Sequence, residues 1–124
     1  MKNCLLDTDV LINWLRGEKW EKSLLLTPGV DFYISQVSRK ELFQYRNISD
    51  SQKKKIVYFL HCLREISVNA DIANKASILM QKYHSYRLKP ADALIAATAW
   101  HKNMVLATHN LKHFQVIKEI KLFE

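Results

Sequence analysis

The sequence predicts one α/β domain spanning residues 1–124, in which a central, mostly parallel sheet of four to five strands lies between two layers of helices. The first observation is that short runs of β-branched and aromatic residues alternate with amphipathic helical segments, as in sheets whose parallel strands are joined by helices. The second is that 124 residues with only two glycines and two prolines fit a single domain without a linker.

Two strands and two helices are predicted at the start of the chain. Residues 4–6 form an apolar run that predicts a strand ending at Asp7, and the apolar residues after Asp9 recur at helical spacing. We expect Asp9 to be the N-cap of this first helix, because aspartate oxygens satisfy free backbone N–H groups. Residues 18–26 predict a second short helix that a Thr-Pro-Gly run ends, and residues 30–34 predict a second strand.

The middle of the chain predicts three helices and one brief strand. Ser35 is the expected N-cap of a helix that continues to about Arg46, and residues 49–52 have the form of a capping box that begins the next helix. Residues 65–68 predict a brief third strand. Asn69 then opens a long helix with one apolar stripe, which predicts a buried face. The stripe consists of Ile72, Ala76, Leu79 and Tyr83.

The last third of the chain predicts a buried helix and two more strands. Residues 89–100 contain a proline in the expected first turn and five alanines, which predicts a helix packed closely on the sheet. Residues 104–107 predict a fourth strand that ends at a Thr-His-Asn turn, and residues 117–123 hold at most a short final strand.

The composition indicates a soluble, basic protein. Nineteen Lys and Arg residues against twelve Asp and Glu residues give a formal charge of +7, which favours association with nucleic acid or an acidic protein partner. No apolar run approaches the roughly 18–20 residues of a membrane span, and an acid occurs too early for a signal-peptide core, so we expect a cytoplasmic protein without membrane association. Cys4 and Cys62 lack the spacing of a zinc site and are expected to be buried thiols.

Three acids and one turn predict a metal site at one edge of the sheet. Asp7 and the turn at residues 108–110 both follow predicted strands, and ligands bind where parallel strands end. Asp92 lies in the first turn of its helix, where the helix dipole favours negative charge, and Glu41 projects from a partly apolar helix face. Converging carboxylates repel one another unless a cation neutralises them, and clustered oxygen ligands suit Mg²⁺ or Mn²⁺.

Each acid taken alone also has a purely structural interpretation. Asp7 can cap the first helix, Asp92 can be an acid placed favourably in the helix dipole, and Glu41 can be a solvated helix residue. The combination of the three acids on these elements is what favours a site.

That combination is similar to the pattern of the PIN-domain family, and within it of the VapC-type toxins of bacterial and archaeal toxin–antitoxin pairs. The segments that carry the resemblance occur in the family's order along essentially the whole chain, at residues 5–12, 34–42, 92–99 and 108–114. The third segment, an acid followed by a helix of small residues, is the most specific. The resemblance implies a PIN-like α/β/α fold and a metal-dependent endoribonuclease that cleaves RNA phosphodiesters with a metal-activated water.

The resemblance also implies a role for individual residues. Asp7, Glu41 and Asp92 would be the acidic catalytic and metal-binding positions, with Mg²⁺ or Mn²⁺ as the cofactor. Thr108 would be the supporting hydroxyl. The fourth metal-binding position falls on Asn110, an amide where many members of the family have an acid, so the resemblance leaves open whether one metal binds or two.

The partners implied by the resemblance are an RNA substrate, a VapB-like antitoxin and a second copy of the chain in a homodimer. Trp14 and Trp20 lie on the first two helices, where an antitoxin segment docks in similar proteins, and core packing is the expected role of at least one of them. His109 and His113 flank the 108–110 turn, and capping or packing is expected for them ahead of a catalytic role.

Two other functions fit parts of the sequence. A degenerate PIN domain that only binds RNA or protein is favoured by Asn110, which adds no negative charge to the site. The run Asp7-Thr8-Asp9 is similar to the aspartate motif of haloacid-dehalogenase-like phosphatases, but that motif has Thr where this chain has Leu11. Such phosphatases also usually have longer chains.

Overall fold

A computed structural model describes residues 2–44 and 48–123 of the chain. The strands of the described residues are β1 (Lys2–Leu6), β2 (Val30–Ser35), β3 (Arg64–Ile66), β4 (Val105–Ala107) and β5 (Lys121–Leu122). The helices are α1 (Thr8–Leu15), α2 (Lys19–Leu25), α3 (Gln36–Gln44), α4 (Asp50–His61), α5 (Ala70–Lys82), α6 (Pro90–Lys102) and α7 (Leu111–Phe114), with a single 3₁₀ turn at His84–Tyr86. The five strands form one sheet in the order β3-β2-β1-β4-β5, and every pair is parallel.

The strand β1 lies at the centre of the sheet, and the side chains of its last three residues are apolar on both faces. It pairs with β2 on one side and with β4 on the other. Cys4, Leu5 and Leu6 are all fully buried. A continuous apolar run of this kind is typical of a parallel strand that helices cover on both faces.

Helices on the two faces of the sheet form two separate cores. Leu5 belongs to the core that contains Leu79 of α5 and Ile95 of α6. Leu6 belongs to the other core, which contains Leu11 of α1 and Ile56 of α4. The molecule therefore has the predicted α/β/α layers, and its sheet is entirely rather than mostly parallel.

Several predicted helix ends are confirmed by their capping contacts. The capping box at Ser49 is present, and the side chain of Asn69 caps α5. The Ser35 hydroxyl accepts a hydrogen bond of 3.1 Å from the second backbone N–H that follows it, at the beginning of α3. Arg46, where the sequence predicts this helix to end, lies outside the described residues.

The prediction that Asp9 caps the first helix is wrong. The chain leaves β1 in an extended conformation at Asp7 (φ −72°, ψ 159°), and the carboxylate of Asp7 accepts a hydrogen bond from the Thr8 backbone N–H. The helix therefore begins at Thr8, one residue before the predicted cap, and Asp9 already lies in its first turn.

A second prediction about single residues is half wrong: Cys4 is buried, but Cys62 is exposed. Cys62 is the C-cap of α4, which places it at a helix end rather than on a core-facing stripe.

Two short elements were not predicted from the sequence, α7 and the 3₁₀ turn. Elements of four and three residues are too short to show a hydrophobic period. Within the described ranges, the helices are too short or too polar to cross a membrane.

The parallel sheet brings the ends of β1 and β4 together. Leu6 pairs with Ala107 in the register, and the backbone N–H of Asp7 donates to the Ala107 carbonyl at 2.9 Å. Asp7 and Thr108, the residues that follow these two strands, therefore leave the sheet side by side.

Candidate active site

Asp7 is the most constrained acid of the candidate site. It follows β1 directly and is only 5% exposed. The Thr108 hydroxyl donates to Asp7 Oδ2 at 2.7 Å, and the Thr8 backbone N–H donates to Oδ1 at 2.8 Å. The predicted supporting hydroxyl, Thr108, thus contacts the acid directly, and the two bonds fix the orientation of the carboxylate.

The surroundings of Asp7 disfavour its negative charge. Burial first, and then the charge of Asp9, raise the pKa of Asp7 to about 7, with a smaller contribution from Asp92. The hydrogen bonds from Thr108 and Thr8 oppose this rise without cancelling it. A buried acid whose pKa is raised by other acids is typical of a functional site rather than of a structural one.

Asp92 lies in the first turn of α6 and belongs to the same group of acids. Burial raises the pKa of Asp92, and the charge of Asp9 adds to that rise. The nearby side chains of His113 and Lys89 oppose it, and His113 Nδ1 lies 3.8 Å from Asp92 Oδ2. Asp9 therefore acts electrostatically on both Asp7 and Asp92, which places all three carboxylates in one region.

Glu41 on α3 is joined to this region through the residue that follows Asp7. The Thr8 hydroxyl lies 2.7 Å from Glu41 Oε1 and 2.9 Å from Ser38 Oγ, within hydrogen-bond distance of both. Ser38 is fully buried. The Thr8 hydroxyl therefore holds the Glu41 carboxylate against α1. Sequence analysis missed this link because small hydroxyl residues on a helix show no distinctive pattern.

Asp9 is a further acid that sequence analysis assigned only to capping. Its Oδ2 accepts a hydrogen bond from the His109 backbone N–H at 3.0 Å and lies 3.4 Å from the Thr108 hydroxyl oxygen. Its Oδ1 is buried and has no hydrogen-bond partner among the described residues. A buried carboxylate oxygen without a donor is costly, and it is a natural place for a cation to bind.

Asn110 is connected to the acids through its neighbours. Its backbone N–H donates to the Thr108 hydroxyl at 2.9 Å, and its side-chain Nδ2 lies 2.8 Å from His113 Nδ1. His113 in turn lies beside Asp92. The turn thus ties Asn110 to both Asp7 and Asp92, while its role as a metal ligand stays a prediction.

The donor set has the chemistry of a site for Mg²⁺ or Mn²⁺. The side chains in this region carry carboxylate and hydroxyl oxygens, and Asn110 carries an amide; oxygen atoms of these kinds are the ligands that hard cations prefer. The raised pKa of Asp7 and the unpartnered oxygen of Asp9 show a local excess of negative charge. Among residues 2–44 and 48–123, however, no group of three or more His, Cys, Asp or Glu side chains is arranged so that it could hold a metal ion.

The tryptophans of the first two helices have different surroundings. The Trp14 ring stacks on Phe59 of α4 with centroids 3.8 Å apart, so Trp14 packs between helices. Trp20 is 46% exposed, and its ring meets the ring of His109 edge to face. His109 Nε2 also contacts the carboxylate of Glu21, an acid on α2 that sequence analysis did not single out.

The chain matches known proteins over nearly its whole length. The PIN domain family model matches residues 4–119. Ribonuclease VapC10 from Mycobacterium tuberculosis is 32% identical over 121 residues, covering 94% of this chain and 90% of that protein.

Solved structures share the fold of this chain over nearly its whole length. A chain of a toxin–antitoxin complex from Klebsiella pneumoniae is 29% identical, with a TM-score of 0.79 and coverage of 94% of each chain. A chain of VapBC2 from Rickettsia felis, bound to a promoter DNA fragment, has a TM-score of 0.82 over 98% of this chain and 97% of its own, at 20% identity. Because the family model spans most of the sequence, this chain belongs to the PIN domain family.

Proposed function

We propose that the chain is a metal-dependent endoribonuclease and the toxin of a VapBC-type toxin–antitoxin pair. The observation that carries the nuclease proposal is the buried Asp7 carboxylate, which shares one edge of the sheet with Asp9 and Asp92 and has a pKa raised to about 7. The PIN domain match and a 32% identical relative named as a ribonuclease support the reaction class. The formal charge of +7 suits a polyanionic substrate such as RNA.

The proposed chemistry divides between a cation and the side chains that hold it. The oxygen ligands of Mg²⁺ or Mn²⁺ would be Asp7, Glu41, Asp92 and Asn110. When bound, the cation supplies a water of lowered pKa and offsets the negative charge that develops on the attacked phosphate. The chain's own part is orientation: the Thr108 hydroxyl fixes Asp7, and the Thr8 hydroxyl fixes Glu41.

RNA cleavage by the purified chain, with and without divalent cation, tests this proposal. A labelled single-stranded RNA should be cut internally in Mg²⁺ or Mn²⁺, EDTA should stop the reaction, and excess Mg²⁺ should restore it. The Asp92→Asn variant, purified in the same way, controls for contaminating ribonuclease. Cleavage that continues in EDTA and in this variant would mean that the activity does not come from the acidic site.

A VapB-like antitoxin is the proposed protein partner, and a homodimer is the proposed assembly. The solved structure that is 29% identical to this chain is described as a toxin–antitoxin complex, which supports such a partner. Expressing the chain alone should arrest growth, whereas co-expression with the neighbouring gene should prevent arrest and yield a complex whose mass gives the stoichiometry. Harmless expression of an active monomer without a co-purifying partner would instead favour a housekeeping PIN nuclease.

A degenerate PIN domain that binds RNA or protein without cutting is the second candidate function. It is favoured by the neutral Asn110 and by the absence, within the described ranges, of a closed group of three metal-binding side chains. RNA binding that EDTA leaves unchanged, without any cleavage, would select this candidate. The phosphatase alternative has no comparable support, because the family match spans residues 4–119 and Leu11 is buried in the core.

A further inference from the structure

Glu21 is a buried acid that is not among the proposed metal ligands. It lies on α2, is 1% exposed, and accepts a hydrogen bond from His109 Nε2. A buried carboxylate without a partner is costly, so the contact fixes both side chains. The His109 side chain is 42% exposed, so its ring is held at one nitrogen while much of its remaining surface faces solvent.

His109 contacts the carboxylate site directly through its backbone. The His109 backbone N–H donates to Asp9 Oδ2 at 3.0 Å, and the hydroxyl of the preceding residue, Thr108, donates to Asp7 Oδ2 at 2.7 Å. His109 is therefore fixed through its backbone to α1 and through its side chain to α2. The ring therefore belongs to a residue whose backbone contacts Asp9, one of the acids.

Trp20 adds a second half-exposed ring at the same place. Its ring centroid lies 4.7 Å from that of His109, at an angle of 61°, and the residue is 46% exposed. Exposed aromatic and histidine rings bind the unstacked bases of single-stranded RNA, because every base offers a π-face. Bases within a duplex are already stacked and do not offer theirs.

We propose that the rings of His109 and Trp20 form a subsite for an unpaired base of single-stranded RNA beside the acids, and that Glu21 is the positioning residue that fixes the His109 ring there. The proposal rests on the proposed ribonuclease function and adds to it the side chains of this chain that would contact a base of the substrate. Lysine and arginine contacts with phosphates do not distinguish single strands from duplexes by their bases, whereas a base-stacking subsite does.

The test measures binding of a labelled single-stranded RNA and of its duplex in the Asp92→Asn background, which keeps the RNA intact. Trp20→Ala and His109→Ala should each weaken single-strand binding about tenfold and leave duplex binding unchanged. Trp20→Phe, which keeps a ring, should bind nearly as well as the parent. Tyr58→Ala is the matched control, because it removes an exposed aromatic ring from α4.

The role of Glu21 is tested by a double-mutant cycle. Glu21→Leu should weaken single-strand binding as much as His109→Ala does, and the double variant should bind no worse than His109→Ala alone. Glu21→Gln, whose side-chain oxygen can still accept from His109, should restore binding to within about threefold of the parent. A general loss of stability would add to the effect of His109→Ala instead and would not be rescued by Gln.

The outcomes separate this proposal from the proposed function. If the parent cuts RNA while Trp20→Ala and His109→Ala bind single strands as well as the Asp92→Asn background does, the subsite is overturned and the nuclease stands. In that case the exposed Trp20 ring is better explained as an anchor for a protein partner. If the parent neither binds nor cuts RNA, both proposals fail.

Discussion

Asp7 follows the central strand β1, Glu119 precedes the edge strand β5, and the surroundings of the two acids shift their pKa values in opposite directions. Glu119 lies just before β5 and accepts hydrogen bonds from Lys82 Nζ at 2.8 Å and from the Tyr83 hydroxyl at 2.7 Å. Burial raises the pKa of Glu119, but these contacts outweigh burial, so the pKa is lowered. Burial and the charge of Asp9 raise the pKa of Asp7 to about 7.

The opposite pKa shifts distinguish Glu119, an acid that stabilises the fold, from Asp7, an acid that the fold does not neutralise. Glu119 has a cation from its own chain, whereas the hydrogen bonds that reach Asp7 come from a hydroxyl and a backbone N–H, neither of which carries charge. Uncompensated buried charge reduces stability, and it persists in proteins mainly where function needs it. Removing the charge of Asp7 should therefore abolish activity and increase stability, whereas removing that of Glu119 should leave activity unchanged and lower stability.

The largest effect is expected on RNA cleavage. Asp7→Asn, Glu41→Gln and Asp92→Asn should each lower the initial rate by about 100-fold or more, because each removes an acid that the activated water and the cation need. Circular dichroism should show that the three variants remain folded. A variant that cuts at the parental rate would remove its residue from the site.

The matched control for this comparison is Glu119→Gln. It also removes one negative charge and keeps the side-chain volume, but it acts where the acid is paired with Lys82. Its cleavage rate should stay within about twofold of the parent, since surface and edge substitutions away from the site leave chemistry unchanged. An equally large loss of rate in Glu119→Gln would contradict the view that Asp7 serves catalysis and Glu119 serves stability.

The next largest effect is the pH dependence of stability in the metal-free protein. The folded-state pKa of Asp7 is raised from 3.8 to about 7, so its charge destabilises the fold fully above about pH 7 and not at all below about pH 4. Asp7→Asn keeps the capping oxygen and should raise the free energy of unfolding by about 1–3 kcal/mol above pH 7. Urea unfolding in EDTA at pH 4 and pH 8 measures this, and a gain of equal size at both pH values would contradict it.

How much of the site could be predicted depended on the kind of residue. Asp7 and Asp92 could be found because an acid directly after an apolar strand, or at the start of a helix of small residues, is unusual in sequence. Glu21 could not, because a Glu on a short amphipathic helix is normally solvated, and its burial depends on where His109 falls 88 residues later. Asp9 was assigned to capping because a two-residue shift of the helix start is invisible in the sequence.

The elements of the fold could be predicted where the hydrophobic pattern is long. They could not be predicted where tertiary contacts determine how a short strand pairs. The apolar run of β1 and the stripe of α5 gave both elements within two residues of their ends. The entirely parallel order of the sheet required knowing that β5, two residues long, pairs beside β4 in the same direction. So short a strand has no period of its own, and its direction follows from packing.

A smaller effect is expected from making the functional site more acidic. Asn110→Asp places a carboxylate at the fourth predicted metal position and should tighten Mn²⁺ or Mg²⁺ binding about tenfold, whereas Asn110→Ala should weaken it. Calorimetric titration measures both affinities. If both variants bind metal as the parent does, the Asn110 side chain stays with His113 and does not face the cation.

The smallest effect is expected from removing one hydrogen bond to Glu119 while keeping the acid itself. The Tyr83 hydroxyl donates to Glu119 and accepts from the Lys118 backbone N–H at 3.0 Å. Tyr83→Phe should therefore lower the free energy of unfolding by about 1–2 kcal/mol and leave RNA cleavage unchanged. Tyr86→Phe, at a residue that is 59% exposed, is the matched control and should change stability by less than about 0.5 kcal/mol.

The pH dependence of this last variant should have the opposite sign to that of Asp7→Asn. Because the folded-state pKa of Glu119 is lowered, its contacts stabilise the fold above its ordinary value of 4.5, and that contribution is lost as the pH falls through the lowered value. Part of the cost of Tyr83→Phe should therefore disappear at about pH 3, since a protonated Glu119 is a weaker acceptor. Urea unfolding at pH 7 and at pH 3 measures the difference. A cost that is the same at both values would show that Tyr83 stabilises the fold through its ring and Lys118 rather than through the charge of Glu119.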